Sequence, residues 1–166
     1  RVQLATGGIR TAAGVATAGA GNVTYAEDGF VKVGNIAVNS DRVATLTARS
    51  GSIIEHAGAN VTINAGSLVA SAPSGSIQLG NQTHPSTATT TTGAVNAVSA
   101  TASGSAQFVS TGDVSVGAVN ANSLSVTSGG AISQAAAAKV YGVASFTATN
   151  EITLNDSANS FGPISL

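Results

Sequence analysis

Apolar residues in this chain alternate with Ser, Thr, Asn or Gly at a period of two, in short bursts that Gly or Asn interrupt. Val31-Lys32-Val33, Ile36-Ala37-Val38, Val61-Thr62-Ile63 and Ile77-Gln78-Leu79 are such bursts. Val114-Ser115-Val116, Leu124-Ser125-Val126 and Ile152-Thr153-Leu154 repeat the pattern. Alternation over so few positions predicts short β-strands with one buried face. The one helix-like stretch, Ala135 to Ala138, is too short to nucleate a helix and is expected to be a small-residue turn or a tightly packed strand.

The bursts recur as a unit: an apolar strand, a small polar turn with Gly or Asn, then a second strand opening on Ile or Val. The unit ends in Gly51-Ser52-Ile53, Gly75-Ser76-Ile77, Gly112-Asp113-Val114, Gly130-Ala131-Ile132 and Asn150-Glu151-Ile152. With Ile36, these anchors are spaced by 17, 24, 37, 18 and 20 residues. The interval of 37 holds Asn81–Ala94, an uncharged Ser/Thr-rich stretch read as a loop insertion between coils. A period near twenty with several short strands per unit signals a solenoid, because one unit cannot bury its apolar edge and stacked units can. The expected fold is therefore all-β: a parallel β-helix (β-solenoid) with about 20 residues per coil and roughly eight coils, running through residues 1–166 as a single segment. Ile53, Ile77, Val114, Ile132 and Ile152 are expected to stack as one inward ladder.

Composition fits this geometry. Only 8 % of residues are charged, the net charge is −1, and nearly a third are Ser, Thr or Asn. Equivalent side chains in adjacent coils lie about 4.8 Å apart, so stacked like charges would repel while hydroxyls and amides can hydrogen-bond. Six aromatic residues imply a narrow core of Val, Ile, Leu and Ala. The charge balance offers no electrostatic footprint for nucleic acid. The absence of Cys removes disulfides, thiolate nucleophiles and Cys-type zinc sites. No apolar run has the length of a membrane helix, so no membrane insertion is expected. The absence of Met suggests a segment of a longer protein.

Candidate chemistry is sparse. Catalytic β-helices need converging carboxylates or bases. Asp113 and Glu151 precede their anchors equivalently, with Ala131 in the coil between, which places them about 10 Å apart on one face. The ordinary reading of these, as of Glu27, Asp28, Asp41, Glu55 and Asp156, is solvated carboxylates at turns. His56 and His84 lack ligand spacing, and no nucleophile elbow, phosphate loop or zinc motif is present. No catalytic residue, metal site or cofactor is assigned. Asn22, Asn60, Asn81 and Asn155 begin glycosylation sequons, which arise by chance in such a composition. The insertion supplies the candidate glycan or receptor contacts: Thr89, Thr90, Thr91 and Thr92 as a flat hydroxyl strip, with His84 nearby. A tolerated surface loop is the competing reading.

Ser128-Gly-Gly-Ala-Ile-Ser-Gln134, Val140-Tyr-Gly-Val-Ala-Ser-Phe-Thr-Ala148, Asn150-Glu-Ile-Thr-Leu-Asn155 and Asn159-Ser-Phe-Gly-Pro-Ile-Ser-Leu166 resemble repeats of filamentous-haemagglutinin-like bacterial exoproteins. Val43-Ala-Thr-Leu-Thr-Ala-Arg-Ser-Gly-Ser-Ile-Ile-Glu-His56 does so too, and the likeness covers roughly residues 20–166. The resemblance implies a right-handed helix and export by two-partner secretion or an autotransporter route, hence an outer-membrane secretion transporter as partner. It also implies a secreted or cell-surface location and a non-enzymatic role as a stalk or adhesin segment facing a host or neighbouring-cell receptor or glycan. The alternatives are a carbohydrate-active β-helix of lyase or hydrolase type using Asp113, Glu151 or the insertion, and a homotypic fibre built by coaxial self-association.

Overall fold

The structure, a computed structural model, describes residues 8–11, 14–19, 21–55, 63–79 and 95–166. Every regular element among them is a β-strand. Inward and outward positions alternate along Val43–Ala48, Ser105–Ser110 and Ser123–Ser128, with Ala, Leu, Phe and Val inside, joined by Ser110 and Ser128 at the strand ends, and mostly Ser, Thr or Gln outside.

The strands stack as three parallel ladders, one rung per coil, in a β-solenoid. The first ladder runs Val31, Ile53, Ile77, Ala106, Leu124, Ala144, Ile164. The second consists of two separate segments, Ile36–Ile63 in the early coils and Val114–Ile132–Ile152 in the late ones. The third runs Tyr25, Leu46, Ala70, Ala100, Val119, Ala138 and continues through Val140 to Phe161. Six complete coils span residues 31–161, a stack about 30 Å long at one strand spacing per coil. Near the other end, Gly8–Thr11 folds back antiparallel on Gly14–Gly19, whose outer edge it covers.

Two expectations change. The coil count is six rather than eight among the described residues, because coils between Val31 and Ala106 lengthen to 22, 24 and 29 residues on the first ladder. The single inward ladder divides into two. Ile53 and Ile77 belong to the first ladder, whereas Val114, Ile132 and Ile152 belong to the second. The rung above Ile77 is Ala106, so much of the 37-residue interval is a change of face. Asn81–Ala94 lies outside the described residues.

The core is one continuous column of buried Val, Ile, Leu, Ala and the aromatics Tyr25, Phe108 and Phe146. Phe146 is fully buried and meets Phe161 edge-to-face, with ring centroids 5.8 Å apart. Ala135–Ala137 form a bend that leads into the strand Ala138–Val140, as their small side chains suggest.

Turn side chains tie each coil to the next. Asn22 Oδ1 accepts from the Val43 amide at 3.0 Å, and Asp113 Oδ1 accepts from the Ala131 amide at 2.8 Å. Ser52 Oγ accepts from the Ser76 amide, and Ser76 Oγ in turn accepts from the Ser105 amide. Glycine is required where corners approach most closely: a Cβ on Gly75 would lie 2.4 Å from the Gly51 carbonyl oxygen.

Candidate functional site

Some charged groups tie one coil to the next, and others make local contacts within a coil. Asp113, Ala131 and Glu151 occupy equivalent positions, as the register Val114–Ile132–Ile152 requires. Two rungs separate the carboxylates, about 10 Å. Asp113 caps the intervening turn through Ala131, and Glu151 Oε1 accepts from the Thr153 hydroxyl at 3.0 Å. Asp28 pairs with Arg49 one coil on, at 2.8 Å. These contacts give the carboxylates structural work and converge on no shared cavity.

Glu55 departs from the solvated reading. It is only 5 % exposed and sits in register with the buried Val33. The period-two rule accounts for this, because Ile53 points inward and residue 55 must follow it. Tyr25 shows related behaviour at the third ladder: its ring is buried and its hydroxyl donates to Glu27 Oε2 at 2.8 Å.

Thr89, Thr90, Thr91, Thr92 and His84 lie outside the described residues, as does His56. Among the described residues, no three His, Cys, Asp or Glu side chains gather as metal ligands. No helix there is long and apolar enough to cross a membrane.

Two concavities are lined by described residues. One, about 380 Å³, lies on the last coil and is lined by Ile152, Leu154, Phe161, Ile164 and Leu166 with Asp156 and Asn159. The other, about 270 Å³, opens on the side of the rod and is lined by Pro73, Thr101, Ala102, Ser103, Asn120, Asn122 and Tyr141. Its order follows from the third ladder. Ala72 pairs with Ala102, and Ala121 with Val140, so the residues just after them share one corner. Pro73, Ser103, Asn122 and Tyr141 are thus successive rungs of one column, separated by 30, 19 and 19 residues. Thr101 and Asn120 are adjacent rungs on the neighbouring outward column, which Lys139 continues. Tyr141 is 74 % exposed. No charged side chain lines this groove. Sequence reading missed it because the coil lengths that align these residues are unequal; the exposed Tyr in Val140-Tyr141-Gly142 was the available signal.

A family of repeats of unknown function (DUF5649) matches residues 103–166. The match begins where coil lengths settle to 18–20 residues on the first ladder. No curated protein and no solved structure gives a significant match.

Proposed function

We propose that this chain is a stalk or adhesin segment of a secreted or cell-surface bacterial exoprotein, of the filamentous-haemagglutinin-like kind its repeats resemble. Its role is mechanical: stacked coils form a stiff rod that holds or presents a binding surface away from the cell. The observation that carries this reading is the three-ladder stack, in which turn carboxylates, amides and hydroxyls are committed to coil-to-coil hydrogen bonds. In this reading an outer-membrane transporter exports the parent protein and a receptor or glycan on another cell meets it. The carbohydrate-active alternative draws less support, since Asp113 and Glu151 already have protein partners. Antibodies raised against the chain test the location: the proposal expects labelling of intact source cells, and labelling that appears only after lysis would overturn it.

Coaxial self-association is a second reading, favoured by the apolar lining of the cavity on the last coil. Sedimentation velocity checks it. Growth of the sedimentation coefficient with concentration, removed by Ile164→Lys, is the expected behaviour; a concentration-independent monomer would count against it.

A further inference from the structure

The lateral groove combines features that the stalk role does not use. Pro73 and Tyr141 stand three rungs apart, about 14 Å, and wall a trough whose length suits a short oligosaccharide. Between them lie Ser103, Asn122, Thr101 and Asn120 on two adjacent columns. The side chains of Thr101, Asn120 and Asn122 have no protein hydrogen-bond partner among the described residues. Asn120 and Asn122 share one rung, and each primary amide offers two donors and an acceptor; the hydroxyls of Thr101 and Ser103 stand on the rung beside them. Tyr141 presents an aromatic surface that is 74 % exposed at the end of this row, an unusual placement in a chain with six aromatic residues.

We infer that this groove is a binding site for a short neutral oligosaccharide, with Tyr141 as the stacking platform and Asn120, Asn122, Thr101 and Ser103 as hydroxyl partners. A pyranose has an apolar C–H face and a rim of hydroxyls that both donate and accept. An exposed aromatic ring complements the first and neutral amides and hydroxyls complement the second. The chemistry disfavours other ligands. A nucleic-acid strand needs Lys or Arg along its path, and none lines the groove. The nearby cations are not part of its lining: Arg49 lies one rung past Pro73 and pairs with Asp28, and Lys139 stands two residues before Tyr141 on the end rung.

The assignment is independent of the stalk reading, because loss of sugar binding would leave surface labelling unchanged. The test titrates the full chain with three neutral sugars, maltotriose, cellotriose and N-acetylchitotriose, and with the acidic trigalacturonate, each up to about 10 mM, an affinity range appropriate to a small open site. Ligand-observed saturation-transfer NMR reads all variants, and thermal melts confirm that each stays folded. Saturable binding of at least one neutral trisaccharide is expected. Tyr141→Ala should weaken it at least about tenfold, Asn122→Ala should weaken it several-fold, and Tyr141→Phe should retain it. Thr127→Ala, on an outward position of the first ladder and so on a different face of the rod, should leave it unchanged. Absence of binding by all three neutral sugars overturns the inference, as does binding that Tyr141→Ala leaves intact. Binding confined to an acidic trisaccharide and abolished by Lys139→Ala also overturns it.

Discussion

Gln134 and Asn159 form a reciprocal amide pair across one coil. Gln134 Nε2 donates to Asn159 Oδ1 at 2.5 Å, and Asn159 Nδ2 donates back to Gln134 Oε1 at 2.9 Å. Gln134 Oε1 also accepts from the Asp156 amide, and Asn159 Oδ1 from the Ala138 amide. The pair thereby satisfies the Asp156 amide of the last coil and the Ala138 amide of the coil beneath it. Truncating either member strands partly buried donors and acceptors, which costs about 1–3 kcal/mol. Gln134→Ala and Asn159→Ala should each lower the melting temperature by several degrees. The double variant should cost less than the sum, with a coupling of about 0.5–3 kcal/mol in a denaturant-based cycle.

Asp113 separates the structural from the catalytic reading. Its Oδ1 accepts from Ala131, a role that an Asn oxygen can fill and Ala cannot. Asp113→Ala should cost about 1 kcal/mol in urea unfolding, and Asp113→Asn distinctly less. A catalytic carboxylate would make the opposite distinction in a polysaccharide-cleavage assay, where Asn and Ala would be equally inactive.

Glycine substitutions should divide by coil contact. Gly75→Ala places a methyl group 2.4 Å from the Gly51 carbonyl oxygen, and that backbone, held in the coil stack, cannot yield cheaply, so a loss of about 1–3 kcal/mol is expected. Gly112→Ala meets nothing within 4 Å. It should be neutral or stabilise by up to about 1 kcal/mol through the unfolded state. Thermal melts of the two variants read this contrast.

Phe146 is fully buried between Val126, below it in register, and the edge of Phe161. Phe146→Ala should cost about 3–5 kcal/mol, measured by denaturant unfolding. Phe146→Leu should recover much of this.

The strands and the twenty-residue recurrence were readable because the buried face imposes period two on every burst. The assignment of rungs to faces was not. Gly51-Ser52-Ile53 and Gly112-Asp113-Val114 look alike, yet the first pattern opens the first ladder and the second opens the second ladder. At the level above Ile77 the expected Ile is replaced by Ala106, a residue too common here to stand out. Asp113 and Glu151 did fall in equivalent positions, because both follow a Gly- or Asn-containing turn and precede a paired anchor. Glu55 was misplaced in solvent because its charge outweighed the alternation that carries it inward. The groove depended on distant residues coming into one column, and unequal coils of 30 and 19 residues concealed that alignment.

Single-molecule force extension between the chain's ends addresses the load-bearing stack itself. Repeats that contact only their neighbours can release one at a time. A 20-residue coil then adds about 65 Å of chain and the 29-residue coil between Ile77 and Ala106 about 95 Å. The account predicts discrete steps of these lengths. Smooth extension without steps, or steps unrelated to the coil lengths, would contradict it.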